Sequence, residues 1–317
     1  MGKYNRRQQR LLGILMALIG AGLWGLSGTV AQHLFHHYHV PVNWLVSIRL
    51  TVSGFLLLMF ALSGKKRSYV WEIWRFRQSV LQMAAFSIFG MLGVQYTYFA
   101  AVNTGNAAVA TLLQYLAPLF IAIYLIIKYF SLPKFYELFA MGLALLGTFL
   151  LLTNGSLNDM AVSYRAVIWG VLSGITSAFY TLASGRLIKK WDSAAVIGWG
   201  MMLGGITLYL IHPVWHVNTN SWQLSTVLMI GFVVIFGTLI GFYLFIESLK
   251  FISAKEASLL GCTEPLAAVF SSVIWLNITF GLYQAIGTVC VIMMVIILSI
   301  KPDTQTNKQA IERANEQ

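Results

Sequence analysis

An all-α integral membrane protein of ten transmembrane helices, arranged as two inverted five-helix repeats, is the fold class this sequence predicts. Three observations carry that expectation. The 317-residue chain is 58% apolar and only 10% charged, whereas a water-soluble domain carries about a quarter charged residues to cover its wetted surface. Apolar runs recur from Leu11 to Ile300, each near the roughly 20 residues that cross about 30 Å of hydrocarbon as a helix. Basic residues gather in alternate connections between those runs, the signature of a multispanning chain.

Taken in order, the first run, Leu11–Ala31, follows Lys3, Arg6, Arg7 and Arg10. It is too long for a signal-peptide core and reads as a retained span. Val42–Leu62 carries Arg49 inside it. Five basic residues, from Lys65 to Arg77, separate it from Ser79–Val102. A short polar turn leads into Asn106–Ile127, and Lys128 and Lys134 precede Phe135–Leu152. The second half holds Ala166–Ile188, Ser193–Ile211, Leu224–Leu249, Ala254–Leu276 and Leu282–Ile300. Lipid offers backbone amides no partner, so the choice lies between helices and closed barrels. Stretches such as VCVIMMVIIL lack the alternation of barrel strands.

Nineteen of the 21 basic residues fall on one side of these ten spans, leaving Arg49 and Arg165. That side is expected to be cytoplasmic. The organisation is then 1–10 as a cytoplasmic basic segment, 11–152 as the first repeat, 153–165 as an extracytoplasmic linker, 166–300 as the second repeat and 301–317 as a cytoplasmic tail. The expected location is the cell inner membrane, multi-pass, with both termini cytoplasmic. Topology and anionic lipid account for the +11 formal charge, and no nucleic-acid partner is expected. Cys262 and Cys290 lie inside spans, so no disulfide framework is implied. The six histidines sit at outer ends, where the His36, His37 and His39 cluster lacks carboxylate or cysteine company. A solvated rim is preferred to a metal site there, and no cofactor is expected.

The repeat is visible in the residues. A constant shift of 147 aligns Tyr96 with Tyr243, Ala107 with Ala254, Ala110 with Ala257, Pro118 with Pro265 and Gly90 with Gly237. Five spans per half, an odd number, force the second copy to insert upside down. Inverted repeats of this kind enclose a midplane site in secondary transporters. The two Tyr…Ala…Ala…Pro copies, with Trp24 and Arg49, resemble the EamA family of the drug/metabolite transporter superfamily. That resemblance covers the chain apart from its tails. It implies cytoplasmic termini and a central cavity lined mainly by spans 1, 3, 4, 6, 8 and 9. It also implies a cargo of amino acids, metabolites or drugs, often moved outward. The chain departs from the pattern at Tyr180, the counterpart of Trp24, and in having no span 7 arginine to mirror Arg49.

Glu264 is the leading site candidate. It lies about 15 Å along span 9, near mid-bilayer. A carboxylate there costs roughly 2.5–3.5 kcal/mol, so it is expected to face the bundle interior. Pro118 and Pro265 are expected to bend their helices, Pro265 freeing the carbonyl of Gly261. Ser258, Gly261 and Glu264 share one helical face. Trp24, Tyr98, Tyr180 and Tyr243 are candidates for aromatic walls, with core packing as the competing reading. Gln95 and Gln114 need partners in lipid and are expected to turn inward. For Glu264, the competing reading is an ion pair with Arg49. The leading function is secondary transport of a small-molecule substrate within the lipid bilayer, with proton coupling and a homodimer both open. A channel-like facilitator and a membrane-embedded enzyme are the alternatives. An ATPase would need a P-loop, and an enzyme would need acids and histidines converging at one depth; the sequence offers neither.

Overall fold

A computed structural model describes residues 6–63, 69–129, 134–156, 162–188, 190–213, 222–252, 257 and 260–300. Every regular element among them is helical. Ser258 and most of the expected 301–317 tail's neighbours in sequence, along with the tail itself, lie outside the described residues.

The elements are α1 (Arg6–His36), α2 (Val42–Ser63), a short α3 (Tyr69–Glu72), α4 (Arg77–Ala85), α5 (Gly93–Thr104), α6 (Ala107–Gln114) and α7 (Ala117–Tyr129). They continue with α8 (Phe135–Thr153), α9 (Tyr164–Ile188), α10 (Ser193–Ile211), α11 (Leu224–Gly231), α12 (Gly241–Ser248), α13 (Thr263–Leu276) and α14 (Leu282–Ile300). Two π-helical segments are inserted, Phe86–Leu92 between α4 and α5 and Phe232–Ile240 between α11 and α12. Eight helical units are long and apolar enough to cross a membrane, and Thr263–Leu276 and Leu282–Leu298 are shorter apolar helices. These occupy the ten expected spans. The expected ninth span, Ala254–Leu276, is continuous among described residues only over α13.

Local chemistry explains several ends. Asn106 caps α6 by accepting from Val109 N at 2.9 Å, and Gln32 Oε1 accepts from Ala107 N at 2.8 Å, so the exposed amides of that helix start are satisfied by side chains. Asp192 caps α10 in the same way. Asn154 and Asn277 end α8 and α13 in the left-handed conformation, which asparagine tolerates better than most residues. Both proline helices are interrupted close to the expected bends. The fourth span breaks at Tyr115–Leu116, just before Pro118, and the ninth at Cys262, just before Pro265.

Helices pair closely where glycine permits. Ser47 Oγ donates to Gly205 O at 3.1 Å across the α2–α10 contact, and α8 meets α14 where Gly147 faces Gly287. α1 packs on α12 and α13, while α9 packs on α5, α6 and α7. Buried side chains form two main groups. One is centred on Leu50, Phe86 and Phe99, the other on Leu112, Leu151 and Met294. Large apolar residues such as Leu145, Leu228 and Phe270 stand on the outside, as a lipid-facing surface requires.

Candidate functional site

A central cavity of about 800 Å³ runs between α1, α2, α5, the α6–α7 break, α9 and the second π segment with α12. One end is walled by Arg49, Phe99 and Gly237, and the other reaches Lys134, Glu137 and Leu249. Beyond the first end, α1 and α13 are joined. Thr29 Oγ1 lies 2.7 Å from Ser271 Oγ, and the His33 ring is 5.2 Å from the Trp275 ring.

Of the candidate residues, Trp24, Gln95, Tyr98, Gln114, Tyr180 and Glu264 all line this cavity, and so does Pro118. Pro265 is buried beside it. Tyr243 is the correction. It is 39% exposed and packs edge-on against Phe60 at 5.4 Å, outside the cavity. The cause is angular. Phe242, Phe245 and Ile246 form the cavity face of α12, and a residue one step along is turned about 100° away.

The break in span 9 exposes the carbonyl of Gly261, and the neighbouring helix supplies its partner. Tyr115 Oη donates to Gly261 O at 2.6 Å and lies 3.1 Å from Glu264 Oε2. Tyr115 was not among the sequence candidates. Its signal lay in the 147-residue shift, which places it on Cys262, so that the two helix breaks are repeat equivalents. The expected alternative of an Arg49–Glu264 ion pair is not formed, although both residues line the cavity. Arg49 is buried at 4% exposure. Its Nε donates to Thr238 Oγ1 at 2.9 Å and its guanidinium carbon lies 4.5 Å from the centre of the Phe99 ring.

Thr238 was also missed. Its hydroxyl donates to Val233 O, five residues back, at 2.8 Å, so one side chain both belongs to the wide π turn and accepts from Arg49. The wide turns themselves have no composition signal, and π-bulges recur at functional sites. Tyr98 Oη lies 3.0 Å from Thr111 Oγ1 and abuts Gly28, where any side chain would collide with it. Trp24 nests between Phe242 and Phe245, with ring centroids 4.8 and 4.9 Å away. The glycine pairs Gly170/Gly174 and Gly237/Gly241, expected at close contacts, do lie at them, against Leu113 and Phe120 and against Ser27 and Trp24.

Comparison with known proteins places this arrangement. The chain is 34% identical over 291 residues to an uncharacterised inner membrane transporter, YicL, of Salmonella typhimurium, covering 91% of this chain and 95% of that one. It is 22% identical over 311 residues to an uncharacterised transporter, YxxF, of Bacillus subtilis, covering 96% and 94%. A solved crystal structure shares the fold with a TM-score of 0.60 at 17% identity, over 92% of this chain and 96% of that one. The EamA-like transporter family matches twice, at residues 11–153 and 164–300. This multi-pass membrane protein belongs to the EamA-like transporter family.

Proposed function

We propose that the chain is a secondary active transporter that exports a small metabolite, amino acid or drug across the cytoplasmic membrane by alternating access. Its ten helices form two inverted five-helix repeats, with both termini cytoplasmic. The observation that carries this reading is the cavity itself, walled by two broken helices and holding one mid-span carboxyl, Glu264, next to Tyr115. Discontinuous helices at a repeat interface are where transporters bind substrate.

Several features support the repeats. The family matches the two halves separately. The two π segments, Phe86–Leu92 and Phe232–Ile240, correspond under the 147-residue shift to within one residue, as do the breaks at Tyr115 and Cys262. Helix pairing follows the same exchange, because α2–α10 and α8–α14 are self-paired while α1 on α12 and α13 mirrors α9 on α5, α6 and α7. With basic loops cytoplasmic, the end at Lys134 and Glu137 opens inward. The α1–α13 closure at Thr29, Ser271, His33 and Trp275 is then the outer gate. In this reading Glu264 gives up and regains a proton as the halves rock.

Proteoliposome counterflow tests it. A carrier shows trans-stimulation, and Glu264→Gln abolishes the pH dependence of transport while keeping the fold, because glutamine still accepts from Tyr115. Uptake without trans-stimulation identifies a channel instead. A Glu264→Gln protein with unchanged rate and pH profile removes that residue from the mechanism.

A further inference from the structure

Three groups on one wall of the cavity are short of partners. Arg49 is almost wholly buried, yet no carboxylate lies within ion-pair distance. Its single hydrogen bond among the described residues leaves through Nε to Thr238, so both Nη groups are unbonded. Ser27 Oγ and Trp24 Nε1 are buried with no hydrogen-bond partner at all. Folded proteins leave few such groups unsatisfied, and a cation taken from water without a counter-ion is costly.

The three belong together. Ser27 and Trp24 are one helical turn apart on α1 and face the second π segment and its exit. A side chain at Gly237 would strike Ser27, and a Cβ at Gly241 would stand 2.8 Å from Trp24 Nε1. Gly237 precedes Thr238, the partner of Arg49 Nε. All three residues line the cavity. Arg49 and Trp24 are donors only, and Ser27 can donate, so what the wall lacks is acceptor atoms and negative charge. The acids lining the same cavity are Glu264, tied to Tyr115, and Glu137, which bonds Lys134 N at 2.7 Å. A cation seated at Glu264 alone would leave the Arg49 wall unsatisfied.

We propose that the cavity binds a small organic anion whose carboxylate or phosphoryl oxygens are received by Arg49 Nη, with Ser27 Oγ and Trp24 Nε1 as supplementary donors. The planar guanidinium fork matches paired oxygens, and Phe99 holds its plane from below. The assignment rests on this cavity being the transport site and adds the charge of what it carries.

The test is calorimetric titration of the full-length protein in lipid nanodiscs with benzoate, succinate, phenyl phosphate and benzyltrimethylammonium, each to about 10 mM, which covers millimolar dissociation constants. At least one anion binds, carboxylate or phosphoryl preference naming the group, and the ammonium ion does not displace it. Arg49→Lys, which keeps the charge and loses the fork, weakens binding at least about tenfold. Ser27→Ala weakens it by about three- to tenfold, as loss of one hydrogen bond does. Failure of every anion to bind, or unchanged affinity in both variants, overturns the assignment. Counterflow of a neutral or cationic substrate without anion binding sinks the anion site and leaves the carrier reading standing. Anion binding lost in Arg49→Lys, in a protein with no counterflow, does the reverse.

Discussion

Tyr115 Oη stands 2.6 Å from Gly261 O and 3.1 Å from Glu264 Oε2, so one hydroxyl spans from the break in the fourth span to the break in the ninth. A bond between the two weakest points of two helices fixes their separation where regular backbone bonding cannot. Tyr115→Phe removes the hydroxyl and nothing else. It leaves a buried carbonyl and a carboxyl short of a donor, which costs about 1–3 kcal/mol. The expected outcome is a lower unfolding temperature in detergent together with slower counterflow.

Thr238→Val tests the other polar junction. The side chain is fully buried, and the change keeps its shape. It removes the acceptor for Arg49 Nε and the donor to Val233 O. Hydrogen bonds to charged groups contribute about 1.5–3 kcal/mol, and a loss of that size is expected in chemical denaturation. Thr238→Ser restores most of it.

Close packing of α1 on α13 depends on Gly25. A Cβ there would stand 2.9 Å from both Ala267 Cβ and Ala268 N. Gly25→Val is therefore expected to destabilise by about 1–3 kcal/mol, the usual cost of overpacking. Gly142 on α8 has nothing within 4 Å of the same position. Gly142→Ala is expected to be neutral or stabilising by up to about 1 kcal/mol, because it removes a helix-interior glycine. Thermal unfolding of the two variants side by side checks the contrast.

The start of α6 provides a milder measurement. Asn106→Ala deletes the cap on Val109 N, with an expected cost of about 1 kcal/mol, read as a small fall in unfolding temperature.

Orientation is checked by accessibility. Lys190→Cys is expected to react with a membrane-impermeant maleimide only in inside-out vesicles. His212→Cys is expected to react only from outside intact cells.

Much of the fold was legible because lipid imposes long apolar runs and the chain signs its connections with lysine and arginine. The helix breaks were legible too, since Pro118 and Pro265 lie a few residues past Tyr115–Leu116 and Cys262. Glu264 stood out because a carboxyl amid leucines is costly. Tyr115 and Thr238 did not, because an aromatic or a threonine in a span has several inexpensive uses and only three-dimensional neighbours select among them. Tyr243 failed for a related reason. The repeat matched it to Tyr96, but the wide turn at Phe232–Ile240 sets the rotation of everything after it, and no residue type announces that turn.

The same wide turn has a mechanical corollary. Phe232–Ile240 stores one residue more than ordinary winding would hold, latched by the Thr238 hydroxyl on Val233 O. Releasing that surplus would spin the remainder of the rod by about 100°, bringing Tyr243 inward and carrying Phe242 away. A single latch thus governs which aromatic ring meets the cargo, like the tooth of a ratchet.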